Sequence, residues 1–246
     1  MTSPDGRGAT RSKGTGRRAT RTAPRVVAIV AAFDEEESIA RTVKALAGIE
    51  SISEVVVIAD GSTDRTGEEA VGAGARVLAA SRRLGKGGAI DSALERVGPA
   101  DAYLLVDGDV GETAAETAAL LQEVVAGRLD LAIGRLPPLE GGGFGLVKEF
   151  SRRAIRSISG FDPDEPLSGQ RAISREALEA CRPLASGFGL ETAMTIDAVR
   201  LGFRVGEVPV DMRHRPTGRD VTGFAHRARQ GLDIVKAAIP RLLRVR

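Results

Sequence analysis

Arg25-Val26-Val27-Ala28-Ile29-Val30-Ala31-Ala32-Phe33-Asp34-Glu35-Glu36-Glu37 is the stretch that decides how this chain folds. Val26–Ala32 is an unbroken apolar run, rich in β-branched residues and closed by Pro24 on one side and acids on the other. A strand that shows one face to water alternates polar and apolar residues, whereas this one reads as buried on both faces. Beyond it, Ile39, Val43 and Leu46 recur at helical spacing from Glu35 to Leu46, and Gly48 closes the helix.

The alternation then repeats. Strands are expected at Val55–Ala59, Arg76–Ala79, Ala102–Val106 and Leu129–Ile133, the last of the series. Between them lie helices from Thr63 or Asp64 through Val71, from about Gly88 to Val97, and over Thr113–Ala126. Strand–helix alternation predicts an α/β fold: a mostly parallel sheet with helices on both faces and right-handed crossovers. Ligands of such sheets bind beyond the carboxyl ends of the strands, where Asp34, Glu35, Asp60, Asp107 and Asp109 fall.

Pro137, Pro138 and Gly141–Gly143 form a looser stretch after Gly134. Phe144–Ile158 reads as a basic amphipathic helix, Leu167–Ser174 as a strand, Arg175–Cys181 and Leu190–Leu201 as helices, Phe203–Val210 as a strand and Phe224–Val245 as a second basic helix. Three parts are expected: a basic tail over 1–24, one catalytic domain over 25–220, and a C-terminal helix over 221–246.

The net charge of +2 hides an asymmetry. Arg7, Arg11, Lys13, Arg17, Arg18, Arg21 and Arg25 face a lone Asp5 in the first 25 residues, which leaves the remainder at −4. A DNA-binding domain is basic throughout, and 3% aromatics with no Trp give little for stacking bases. No nucleic-acid partner is expected. Cys181 alone excludes an internal disulfide or a cysteine-built zinc site. No apolar run reaches the roughly 18 residues of a transmembrane helix, and the N-terminus lacks the apolar core of a secretory signal. Its composition reads as disordered, although a transit peptide shares the Arg-rich, acid-poor bias. The expected location is the cytoplasm, with peripheral contact at the inner face of a membrane through the two basic helices.

Four segments carry chemistry. In Leu104-Leu105-Val106-Asp107-Gly108-Asp109 an apolar strand delivers two carboxylates into a glycine turn, and hard divalent cations such as Mg²⁺ or Mn²⁺ take oxygen ligands of this kind. A solvated turn has the same spelling. In Asp60-Gly61-Ser62-Thr63-Asp64 an acid ends a strand and Ser/Thr/Asp start a helix, which serves a nucleoside, helix capping, or both. Gly85-Lys86-Gly87-Gly88 can set backbone N–H groups and one ammonium on a phosphate, although its spacing is not that of a P-loop. Far downstream, Arg213-His214-Arg215-Pro216-Thr217-Gly218-Arg219 surrounds a histidine with three arginines. The cations disfavour its protonated form, which suits a neutral metal ligand, and the arginines suit phosphate oxygens.

Taken together, the segments resemble the family-two glycosyltransferases of GT-A fold over most of Val26–Arg219. The resemblance rests on Ala32-Phe33-Asp34-Glu35-Glu36, Asp60–Asp64, Gly85-Lys86-Gly87, Asp107-Gly108-Asp109, Leu167-Ser168-Gly169-Gln170-Arg171, Gly187-Phe188-Gly189-Leu190-Glu191 and Val208-Pro209-Val210, in the family's order. Within the family the chain is most similar to polyprenyl-phosphate sugar transferases and to glucosyl-3-phosphoglycerate synthases. The resemblance implies transfer of a hexose from a UDP- or GDP-sugar to a lipid phosphate, a small phosphorylated acceptor or a hydroxyl, with Mg²⁺ or Mn²⁺ as cofactor. It implies that Glu35 and Asp60 hold the nucleoside, Lys86 and Arg215 the diphosphate, and Asp107 the ribose or the metal. Asp109 and His214 would ligate the metal, and Glu191 would face the acceptor as base or orienting group. Ser168, Gly169, Gln170 and Arg219 would line the acceptor side. Asp34 replaces the family's usual Asn, and Ala59 stands where relatives carry a second acid.

Two other classes spell similarly: a sugar-phosphate nucleotidyltransferase, whose glycine loop normally comes directly after the first strand, and an inactive nucleotide-sugar-binding module. Oligomeric state is left open.

Overall fold

A computed structural model describes residues 23–79, 84–137, 145–212 and 233–242. Among these residues seven strands form one sheet: β1 (Val26–Ala32), β2 (Glu54–Ala59), β3 (Arg76–Ala79), β4 (Ala102–Asp107), β5 (Leu131–Arg135), β6 (Arg171–Ser174) and β7 (Val205–Pro209), in spatial order β3-β2-β1-β4-β6-β5-β7. All pairings are parallel except those of β6, which runs antiparallel to both β4 and β5. The fold is mixed α/β with a mostly parallel sheet. The parallel series does not end at β5, because β7 continues it on the far side.

Alternation along each central strand builds two cores. Val26, Ala28, Val30, Val55, Val57, Leu104 and Val106 face one way and pack with α1 (Ile39–Ala47), α2 (Thr66–Gly72) and α4 (Ala118–Val125). Val27, Ile29, Val56, Ile58, Tyr103 and Leu105 face the other way, against α3 (Lys86–Val97), α6 (Arg175–Ala180) and α7 (Leu190–Arg200). Each fully buried Val, Leu or Ile contributes about 1.5–3 kcal/mol. This explains why β1 could be read from its apolar run alone.

Several helix starts differ from expectation for identifiable reasons. In place of one α-helix over Thr113–Ala126, a tight 3₁₀ segment over Gly111–Thr117 precedes α4. Thr113 and Thr117 donate their hydroxyls back to the carbonyls of Val110 (2.7 Å) and Ala114 (2.6 Å), which favours the narrower turn. α2 starts at Thr66, later than expected, because the Asp64 carboxylate accepts from both the Thr66 amide (3.0 Å) and its hydroxyl (2.5 Å). Asp34 sits at φ 55°, in the left-handed region that only short polar side chains tolerate well. There it accepts from the Thr63 amide at 2.8 Å. Asn and Asp both meet that backbone demand, so the substitution leaves the turn intact.

The helix expected at Phe144–Ile158 is α5 (Gly145–Ser159). Its basic side chains are taken up by neighbouring acids: Lys148 by Glu165, Arg152 and Arg156 by Asp162, and Arg153 by Glu149. Leu146 (88% exposed) and Phe150 (43%) remain on its outer face. Residues 233–242 form a further helix, α8, within the expected Phe224–Val245. The basic tail lies outside the described residues, among which no helix is long and apolar enough to cross a membrane.

Cys181 is buried behind α7, and that burial pushes its thiol up to about 12. The sign is that of a raised pKa, so the contribution to stability is complete below the thiol's ordinary pKa and fades as pH rises towards 12. A thiol reagent at pH 8 is expected to leave the folded protein unlabelled and to label it fully in denaturant. Rapid native labelling would contradict this burial.

Candidate active site

β1, β2 and β4 end level, since Ala32 pairs with Ala59 and Ala31 with Asp107. Their carboxyl ends therefore present Glu35, Asp60, Asp107 and Asp109 along one rim. The reversed strand β6 starts at that rim, with Arg171 opposite Leu105, and so brings Ser168, Gly169 and Gln170 beside Asp107. Glu191 arrives from the first turn of α7.

These parts meet at Lys86. Its ammonium donates to Asp107 Oδ1 at 2.6 Å and to Glu191 Oε1 at 2.8 Å. Burial alone lowers a lysine pKa, but the two carboxylates more than reverse it and hold this one above the usual range. Lys86 is thus a fixed positive charge.

Gln170 is fully buried and spends both ends of its amide on Asp107. Nε2 donates to Oδ2 at 2.9 Å, and Oε1 accepts from the Asp107 amide at 3.2 Å. Expected on the acceptor side, it acts here to fix the Asp107 side chain. Gly169 is demanded by space: a Cβ there would lie 2.2 Å from Asp107 Oδ2 and 2.5 Å from Lys86 Nζ. Ser168 Oγ is buried with no hydrogen-bond partner among the described residues.

Asp60 is buried at the end of β2 and accepts from the amides of Leu84 (2.7 Å) and Gly85 (2.8 Å). It anchors the turn that delivers Lys86. Glu35 lies against the Asp-Gly-Asp turn, its Cγ 3.4 Å from where a Cβ on Gly108 would sit. Its Oε2 accepts from the Ser38 hydroxyl at 2.9 Å.

Sequence reasoning missed two supports. Thr42 on α1 donates its hydroxyl to Gly108 O and accepts from the Gly111 amide, both at 2.9 Å, so it clamps the turn from below. Arg171, 1% exposed, donates to Ser168 O (2.9 Å), Pro166 O (3.4 Å) and Thr195 Oγ1 (3.0 Å). Thr195 in turn donates to Glu191 O at 2.8 Å. Burial, partly offset by Glu191 and other acids, pushes the Arg171 guanidinium down to about 10. An arginine opening an apolar strand was the available signal. Thr42, one polar residue in an amphipathic helix, offered none.

Asp107 and Asp109 supply the hard oxygen donors that Mg²⁺ and Mn²⁺ prefer. Among the described residues no third metal-binding side chain joins them in a cluster. His214, the expected third ligand, lies outside the described residues, as do Arg215 and Arg219. After β7 the Val210 amide donates to Arg135 O at 3.0 Å and Met212 is buried in the core.

An acidic rim with one embedded lysine lies beyond the carboxyl ends of a mostly parallel sheet, where the ligands of such sheets bind. The Glycosyl transferase family 2 description matches residues 27–163, more than half of the chain, and the chain belongs to that family. It is 33% identical to glycosyltransferase AglJ of Haloferax volcanii over 193 residues, covering 76% of this chain and 63% of AglJ. It also matches undecaprenyl-phosphate mannosyltransferase of Micrococcus luteus at 29% identity, covering 79% of this chain and 86% of that one. Other relatives are longer, and the chain spans only 34% of AglD from H. volcanii. Among solved structures, glucosyl-3-phosphoglycerate synthase of Mycobacterium tuberculosis with Mn²⁺, UDP-glucose and phosphoglyceric acid superimposes with a TM-score of 0.75 at 25% identity, covering 89% of this chain and 80% of that one. The structural neighbours are GT-A glycosyltransferases.

Two substitutions check the geometry. Gly169→Ala is expected to displace the Asp107–Lys86 pair and cost about 100-fold in turnover, as misplacement near 1 Å does. Thr42→Val keeps shape but strands two buried backbone groups, so urea unfolding is expected to report a loss of about 1–3 kcal/mol for each group. An unchanged midpoint would remove Thr42 from its clamping role.

Proposed function

We propose that this chain transfers a hexosyl group from a UDP- or GDP-sugar to an acceptor that approaches the rim on the side of Gly169 and Glu191. The observation that carries the reading is the Lys86 ammonium bridging Asp107 and Glu191. One fixed cation lies where the nucleotide side of the rim meets a carboxylate on the other side. Glu35 and Asp60 border the nucleoside, and Lys86 faces the diphosphate, to which Arg215 would add a second cation. Asp107, Asp109 and His214 would hold Mg²⁺ or Mn²⁺, which when bound neutralises charge on the departing diphosphate.

In the transfer, the bond from the sugar's anomeric carbon to the diphosphate oxygen breaks and a bond to the acceptor oxygen forms. The electron pair leaves with the nucleoside diphosphate, and Lys86 offsets the developing charge. An acceptor hydroxyl gives its proton to a Glu191 oxygen; an acceptor phosphate has none to give. Ser168 Oγ and Gly169 border the acceptor, with Gln170 behind them, and Arg219 would add a cation to that side. The acceptor classes in view are a polyprenyl phosphate and a small phosphorylated molecule. The reaction belongs to the cytoplasm, at the inner face of the membrane for a lipid acceptor. For that acceptor Leu146 and Phe150 supply an apolar contact, while the cations of α5 are already paired.

Asp109→Ala is expected to remove Mn²⁺-dependent UDP binding in calorimetry and to lower turnover by about 100- to 1,000-fold, the usual worth of one electrostatic contact. Wild-type turnover in that variant would sink the metal assignment. Glu191→Gln separates the acceptor classes. It is expected to cost about 100-fold or more if a hydroxyl must be deprotonated, and little if the acceptor is a phosphate.

A further inference from the structure

α8 is docked on the element that carries Glu191. Ile234 is fully buried, and Ala237 and Ala238 are nearly so. Gly189, two residues before Glu191, leaves room for the helix: a Cβ there would lie 2.6 Å from Ala237 Cβ and 2.7 Å from Asp233 O. A Cβ on Gly187 would lie 2.2 Å from Asp233 Oδ2. Further along, the Arg241 guanidinium reaches both oxygens of Asp197 on α7, with Nε 2.8 Å from each. Arg241 also donates to Ala237 O at 2.8 Å within its own helix. Both partners of this ion pair are largely buried, at 15% and 22% side-chain exposure. Shielded, bidentate pairing of this kind is stronger and more directional than a surface ion pair.

α8 thus meets the glycine turn at one end and the second half of α7 at the other, and Glu191 lies between. The turn also faces the donor side. A Cβ on Gly85, the residue before Lys86, would lie 3.6 Å from the Gly187 amide.

We propose that Arg241 is a positioning residue for Glu191. By locking α8 to Asp197 it presses the helix onto the Gly187–Gly189 turn and sets where the first turn of α7 points its carboxylate towards Lys86. The two glycines then serve helix docking. The C-terminal helix, outside the family-matched residues, is part of the catalytic unit. The functional consequence rests on the role proposed above for Glu191; the clamp itself does not.

Arg241→Ala in the full chain is the test, read by amide hydrogen exchange and by calorimetry with UDP and Mn²⁺. Exchange over residues 187–193 is expected to quicken by roughly tenfold, as for release of one local cooperative contact. The β4 amides should stay protected, and UDP affinity should hold. The charge swap Asp197→Arg with Arg241→Asp is expected to restore slow exchange, whereas Arg241→Asp alone should not. Unchanged exchange over 187–193 in Arg241→Ala overturns the clamp. So does a rise shared equally by β4, or a parallel loss of UDP affinity, because either makes α8 a general support. Full turnover in Glu191→Ala would instead defeat the acceptor role of Glu191 and leave the exchange result to judge the clamp.

Discussion

A single ammonium held between two carboxylates from distant parts of the chain sets the terms for everything around it. Lys86, Asp107 and Glu191 come from the start of α3, the end of β4 and the start of α7. Their contacts are 2.6 and 2.8 Å, so each element must be placed within a few tenths of an ångström. Breaking a shielded pair by deleting one partner costs about 3–5 kcal/mol, because the remaining charge stays desolvated. That penalty explains the supports stacked behind the site. Asp60 ties down the turn before Lys86, Gln170 fixes Asp107, and Arg171 reaches the carbonyl of Glu191 through Thr195.

The arrangement depends on one reversed strand. In an all-parallel sheet every strand would start at the far edge, and residues preceding a strand could not reach the rim. β6 runs the other way, so the residues before it lie beside the ends of β4 and β5. Gly169 can then approach Asp107 as closely as it does. The Asp60 and Asp107 side of the site is built from loops that leave strands, and the Gly169 side from a loop that enters one.

Much of this was legible in the sequence. β1, β2, β4 and their helices announced themselves because burial on both faces leaves an apolar run that few alternatives produce. Asp60, Lys86 and Asp107 could be singled out because each stands at a strand end or in a glycine turn, where the sheet's ligands bind; that Lys86 contacts Asp107 could not be read. The direction of β6 was not legible, since a four-residue strand has the same composition whichever way it runs. Nor was the 3₁₀ segment over Gly111–Thr117, where threonine hydroxyls outweigh a helical pattern. The motif around Gln170 points to the acceptor side. Its commitment to Asp107 depends on a cross-strand neighbour 63 positions away. Thr42 was missed for the same reason, being an ordinary helix residue until the turn above it is known.

The antiparallel strand also bears on where the chain can vary in length. The segment leading into β6 is bounded by α5 and by a short ladder of only four paired positions with β4. Apart from Gly169 and Gln170, which are tied to Asp107, the segment is outside the ladders of β1, β2 and β4, so its length can change without altering their register. An insertion ahead of Gly169 would therefore change what stands beside Asp107 and Lys86 while the three central strands keep their places, because this connection feeds the sheet from the opposite end.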